Sequence, residues 1–257
     1  MLIEHKEAAP GVSLLTLNRP PANALSPDLL AALDEALKKV ADDGSRAAVL
    51  TGRPGMFSAG LDVPLLLTLD EAAMLDFWKI FFGVLRTLAL SPVPVGVAIS
   101  GHCPAGGTVL SIFADYRVAA AGEFKLGLNE VEVGLPMPPV VFHAFRRLIG
   151  ARAAEQYAVA GSLIAPDEAL ACGLVDAIVQ PDDVVDYAVA RARKLAALPA
   201  GALLATRELA RADLAALFDG LDDEAYAYMN RVWFGEETRA AMSALVARLA
   251  ERKKSRS

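Results

Sequence analysis

The sequence predicts an α/β fold: a largely parallel sheet with a helical C-terminal region. Three observations carry this reading. Strand-like and helix-like segments alternate through the first two thirds of the 257 residues, and such alternation lays helices over a sheet whose strands pair in parallel. The runs Ala47-Ala48-Val49-Leu50-Thr51 and Val95-Gly96-Val97-Ala98-Ile99 are short and apolar almost throughout, as expected of strands covered on both faces. From about residue 151 strand signals fade except at 174–179, and alanine-rich helices take over.

Each element follows from local chemistry. Val12-Ser13-Leu14-Leu15-Thr16-Leu17 reads as a strand, ended by the turn formers Asn18-Arg19-Pro20-Pro21. Ser26 can cap the free amides of a helix, and Pro27 suits its first position. Leu29, Leu30, Leu33, Leu37 and Val40 then recur at helical spacing, which predicts one buried face. After the strand at 47–52, residues 52–63 read as a glycine-rich loop. Asp70-Glu71 start and Ser91-Pro92 stop a helix over 70–90. The cycle repeats as strand 95–100, loop 101–105, helix 107–113 and strand 116–120. With no polar linker and no fixed-period repeat, the expected organisation is a core over 1–195 continued by a helical region over 196–257.

Composition narrows the function. An apolar fraction of 54% and a mean hydropathy of +0.38 describe a chain that hides roughly three quarters of its unfolded surface. A formal charge of -6 argues against nucleic acid, whose binders carry a basic face. Cys103 and Cys172 are too few for a disulfide framework or a cysteine zinc site. His5, His102 and His143 lie far apart without ligand spacing, so no metal site is expected. The most lipid-like stretch, 93–114, is broken by Pro94, Gly96, Gly101, Pro104, Gly106 and Gly107, whereas a bilayer span needs about 20 continuously helical apolar residues. The N-terminus carries acids and Pro10 where a secretory segment needs an unbroken apolar run. The expectation is a soluble, cytoplasmic protein. The basic tail at 251–256 reads either as a solvated helix end or as a contact for an anionic ligand.

Several near-motifs fail. Gly55 and Gly60 have P-loop spacing, but Leu61-Asp62 stands where lysine and a hydroxyl residue would hold phosphate. Met56 occupies the first glycine position of a nucleophile elbow around Ser58. Cys103 reads as a small buried side chain, since partners of a catalytic thiol seldom adjoin it in sequence. His143, amid Val140, Val141, Phe142, Ala144 and Phe145, reads as a packed helical residue. Two loops survive: Phe57-Ser58-Ala59-Gly60-Leu61-Asp62 and Gly101-His102-Cys103-Pro104-Ala105-Gly106-Gly107, each following a buried strand. Small residues let a ligand approach the backbone, and two amides converging on one oxygen would form an oxyanion hole. From the residues alone, two tight turns are the favoured reading, since glycine after a strand is common.

These loops belong to a longer pattern. Asn18-Arg19-Pro20 with Asn23-Ala24-Leu25, the two glycine loops, Gly127-Leu128-Asn129-Glu130-Val131-Glu132-Val133-Gly134, and Ala165-Pro166-Asp167-Glu168-Ala169 with Gly173-Leu174-Val175-Asp176 follow in order. Together they resemble the crotonase superfamily of acyl-CoA enzymes. Cys103-Pro104-Ala105-Gly106-Gly107, Ala114-Asp115-Tyr116-Arg117 and Gly127-Leu128-Asn129-Glu130 resemble most the mitochondrial-type Δ3,Δ2-enoyl-CoA isomerases. The resemblance implies a spiral of ββα turns closed by C-terminal helices that form a homotrimer or a dimer of trimers. It implies that the Leu61 and Gly106 amides form an oxyanion hole around a thioester oxygen. It also implies that Ser58, Ala59, Gly60, Leu61, Asp62 and Val63 line the site for coenzyme A, which enters as part of the substrate; no separate cofactor is implied. Residues 65–82, which read equally as ordinary core, would flank the acyl chain.

Two positions then bear on the reaction. Removing the proton beside a thioester carbonyl puts charge on its oxygen, and a carboxylate with its pKa raised toward neutrality suits the base. Hydration of a 2-enoyl thioester generally uses two carboxylates; moving a double bond from position 3 to position 2 needs one. In the hydratase pattern the first glutamate lies three residues after the oxyanion glycine, and Val109 stands there. Glu130 matches the second, and Glu132 nearby is a candidate substitute. One base present and one absent implies an isomerase, with catalytic groups Glu130, Leu61 and Gly106. The alternatives are a hydratase or thioester hydrolase on the same fold, or a non-enzymatic binding module.

Overall fold

The computed structural model describes residues 1–254, with side chains through Glu251; the expected tail contact by Lys253-Lys254 lies outside the described side chains. Its centre is a six-stranded sheet. Strands β1 (Ile3–Ala9), β2 (Val12–Leu17), β3 (Ala47–Thr51), β5 (Val95–Ile99), β7 (Tyr116–Ala120) and β10 (Ala177–Val179) lie side by side in that order. Only β1 and β2 pair antiparallel, and the other four pairs are parallel. A second sheet joins β4 (Gly55–Met56), β6 (Gly101–Pro104), β8 (Leu126–Gly127) and β9 (Leu163–Ile164).

Both faces of the large sheet are covered, which is why its inner strands are mostly apolar. On one face lie α1 (Pro27–Asp42) and α3 (Glu71–Ala89). The Ser26 hydroxyl accepts from the Leu29 amide at 3.2 Å, and α1 buries the five apolar positions expected from its spacing. Asp70 caps α3 through the Ala73 amide at 2.9 Å, and the helix buries Phe77, Trp78, Phe81 and Phe82. On the other face α8 (Val184–Ala196) packs Val184, Ala188, Val189 and Ala192 against Val49, Ala98, Tyr116 and Val118. The remaining helices are α2 (Val63–Leu66), α4 (Gly106–Ile112), α5 (Pro139–Ile149), α6 (Ala151–Ala160), α7 (Pro166–Ala171), α9 (Ala200–Ala210), α10 (Ala212–Ala216), α11 (Asp223–Trp233) and α12 (Glu236–Lys254). Two arginines tie the C-terminal helices to the sheet: Arg207 pairs with Asp115 at 2.6 Å, and Arg211 donates to the Phe113 carbonyl at 2.6 Å. Among the described residues no helix is long and apolar enough to cross a membrane.

Residues 3–9 carry no apolar alternation and form an edge strand whose central positions are solvent-exposed. Four expectations are corrected. The loop expected over 101–105 is largely β6, and the one over 52–63 contains β4 and the start of α2. The strand expected over 174–179 is confined to β10, because Leu174 and Val175 are buried in the turn leading into it. His143 lies on α5 as expected, but on its exposed side.

Gly96 sits where β5 meets the buried Tyr116, whose hydroxyl donates to the Ala188 carbonyl at 2.6 Å. A β-carbon on Gly96 would overlap the Tyr116 ring. Gly96→Ala is therefore expected to destabilise the protein by about 1–3 kcal/mol or more, read as a lowered urea midpoint.

Candidate active site

The first site loop is braced by the turn that follows β2. Leu25 N–H donates to the Gly60 carbonyl at 2.8 Å, and Asp62 N–H donates to the Leu25 carbonyl at 3.2 Å. Both neighbours of Leu61 are thus paired, while among the described residues the Leu61 amide donates to no other part of the chain. Asn23 is buried and donates to the Phe57 carbonyl at 3.0 Å; the Ser58 hydroxyl donates to the Asn23 carbonyl at 2.8 Å. Arg19 pairs with Asp62 at 2.5 Å, and Asp62 also caps α2 at the Leu65 amide. The Asn18-to-Leu25 motif is therefore a bracket for the loop that carries Leu61.

The second loop leaves β6 through Ala105, whose backbone has φ +47 and ψ -124. An L-residue held in so sparse a region costs of order 1–3 kcal/mol. Gly106 then opens α4, where a first-turn amide has no partner within its helix. The two loops nearly touch: a β-carbon on Gly106 would lie 3.2 Å from Gly60 Cα and 3.4 Å from the Leu61 nitrogen. The Leu61 and Gly106 amides consequently stand side by side on the wall of one cavity of about 630 Å³.

Glu130 reaches the same cavity from a 3-10 turn, Glu130–Val133, closed by left-handed Gly134. The residue as a whole is half-buried, but its Oε2 is fully enclosed without a hydrogen-bond partner. Removal from water pushes its pKa up to about 7, partly opposed by its own backbone N–H. Val109, also on the cavity wall, is 2% exposed. Glu132 does not line the cavity; it is exposed and accepts from the Asn129 side chain at 2.9 Å. The segment is a 3-10 turn, and in it Glu132 points away from Glu130's cavity.

Of the other expected site residues, Ala59, Asp62 and Val63 line the cavity, while Ser58 and Gly60 are buried behind its wall. Trp78 and Phe81 of the 65–82 stretch line it too, but Leu65 does not. Met229 of α11 and Met242, Leu245 and Leu249 of α12 complete the enclosure; no local pattern connects these distant positions with Glu130. Cys103 is buried beneath Thr108, and desolvation pushes its thiol far up, away from nucleophilic chemistry. Among the described residues no group of three or more His, Cys, Asp or Glu is placed to hold a metal ion.

A parallel-strand spiral with a helical C-terminal region and an acid in an apolar cavity defines an enzyme of the crotonase superfamily. The family model described as Enoyl-CoA hydratase/isomerase matches residues 7–237, and the chain belongs to that family. Human enoyl-CoA delta isomerase 1, mitochondrial, is 35% identical over 208 residues, covering 80% of this chain and 69% of that protein. A probable enoyl-CoA hydratase of Mycobacterium avium is 34% identical over 201 residues, 77% of each chain. The crystal structure of human mitochondrial Δ3-Δ2-enoyl-CoA isomerase aligns with a TM-score of 0.94 at 30% identity, covering 98% of this chain and 100% of that one.

The Glu130 environment has a stability consequence. A carboxyl whose folded pKa exceeds its unfolded value weakens the fold once charged; the penalty is absent below about pH 4.5 and complete above about pH 7. Glu130→Gln is expected to match wild type near about pH 4 and to be more stable by about 1–3 kcal/mol near about pH 8. Urea denaturation at the two pH values measures this.

Proposed function

We propose that the protein is a Δ3,Δ2-enoyl-CoA isomerase working with a single carboxylate. The observation that carries this is the pairing of an enclosed, unpartnered Glu130 with a buried Val109 across one apolar cavity. The thioester carbonyl is taken to sit between the Leu61 and Gly106 amides, where charge developing on its oxygen meets two donors; one such donor is typically worth about 100- to 1000-fold in rate. Glu130 removes a proton from C2, and the electron pair delocalises into the thioester and the adjacent double bond. The same carboxyl then returns the proton at C4, leaving the double bond between C2 and C3. The backbone of the Ser58-to-Val63 loop holds the coenzyme A portion, and Trp78 and Phe81 flank the acyl chain. The similarity to the human isomerase supports this reading.

The hydratase alternative, suggested by the mycobacterial relative, lacks a second acid to manage water: Val109 cannot transfer protons and Glu132 faces solvent. We also propose that the C-terminal helices assemble copies of the chain as a trimer or dimer of trimers. In support, α9 buries none of its residues and leaves Leu204 and Leu209 exposed.

The deciding experiment supplies 3-enoyl-CoA and 2-enoyl-CoA separately. Conjugated-enoyl absorbance is expected to grow only from the 3-enoyl substrate, without hydroxyacyl product or free thiol, and to vanish in Glu130→Gln. Because the base must be unprotonated, kcat/KM is expected to rise with pH through a midpoint at about 7. Rapid water addition by the wild type would reject the assignment.

A further inference from the structure

Ala105 carries a role the mechanism leaves unassigned. Its φ of +47 and ψ of -124 are open to glycine and costly for any residue with a β-carbon. Glycine stands at both 106 and 107, yet at 105 a methyl is kept where glycine would relieve the strain. The geometry around that methyl explains it. The β-carbon position of Gly60 lies 3.0 Å from the Ala105 Cβ and 3.1 Å from the Gly106 nitrogen. The methyl thus fills the space a side chain at 60 would need, and bears on the residue just before Leu61. Ala105 is also tethered in both directions: its N–H donates to the Gly127 carbonyl at 2.8 Å, and its carbonyl accepts from the Val109 amide at 2.9 Å. Those tethers fix it to β8 and α4; the methyl is what it turns toward the other loop.

We propose that Ala105 is a positioning residue whose methyl, seated against Gly60, sets the spacing between the Leu61 and Gly106 amides. This rests on the reading of those amides as the donors to the thioester oxygen. Two donors serve a developing oxyanion only when both lie within hydrogen-bond reach of one point, and misplacement by about 1 Å can cost on the order of 100-fold. Glycine at 105 keeps the backbone path and loses the spacer; serine keeps the β-carbon.

The test compares wild type, Ala105→Gly and Ala105→Ser by steady-state kinetics on 3-enoyl-CoA, by thermal melting, and by the carbonyl carbon-13 shift of a bound saturated acyl-CoA labelled at the thioester carbon. Ala105→Gly is expected to lose about 10-fold or more in kcat with KM within about threefold. Its melting temperature should not fall, and its carbonyl shift should move back toward that of free acyl-CoA. Ala105→Ser should stay within about threefold of wild type in kcat. The role is overturned if Ala105→Gly keeps wild-type kcat and carbonyl shift, if glycine and serine lose activity alike, or if the loss accompanies a lowered melting temperature. A wild type that does not isomerise 3-enoyl-CoA rejects the proposed reaction instead, and the carbonyl shift still decides whether the methyl sets the amides.

Discussion

Leu61 and Gly106 stand side by side because the backbones that carry them approach to distances that side chains forbid. A β-carbon on Gly107 would lie 2.8 Å from the Ser58 carbonyl oxygen, and one on Gly101 would overlap the Gly55 backbone. Gly101 pairs with Gly55, so β4 and β6 run together immediately before both loops reach the cavity. The small sheet thus carries the neighbouring ends of β3 and β5 onward into one wall. Gly60 completes the approach with φ +85, and the bracket from Arg19 to Leu25 holds the first loop against the second.

Against this wall the acid is held at a cost. Most buried polar atoms find partners, yet Glu130 Oε2 has none and lies among apolar side chains. The 3-10 turn that presents it is pinned from outside the cavity: the Thr238 hydroxyl of α12 donates to the Gly134 carbonyl at 2.6 Å, and Leu135 N–H donates to the Glu130 carbonyl at 3.0 Å. The backbone is therefore satisfied while the carboxylate is not. The extensive core around Phe77, Trp78, Phe82 and Trp233 supplies the stability that this arrangement spends.

How much of this was legible depended on how local its cause is. The capped, one-sided helix α1 and the doubly covered β3, β5 and β7 are written in adjacent residues, and they stand where their patterns indicate. β1 could not be read because an exposed edge strand has no face to mark with apolar residues. β4, β6 and β8 are stabilised by glycine-permitted contacts between distant segments, which leave no periodicity. Glu130 and both glycine loops were legible as motifs, whereas Met229 and Met242 reach the cavity only through the packing of α11 and α12. Ala105 was visible as a letter but not as a constraint, because its meaning lies in a dihedral angle.

The largely apolar lining of the cavity also bears on which chemistry it favours. A second carboxylate at Val109 would face a double penalty: desolvation on a wall that is 2% exposed there, and repulsion from Glu130 across the same cavity. Water in such a space would need polar partners of its own. Valine removes both demands. With Asp62 paired to Arg19, Glu130 remains as the unpartnered carboxyl, and a pKa of about 7 lets it accept a proton and give it back with little difference in free energy between its two forms at neutral pH. That balance suits a reaction in which the same group must act as base at one carbon and as acid at another, with no third participant to store the proton meanwhile.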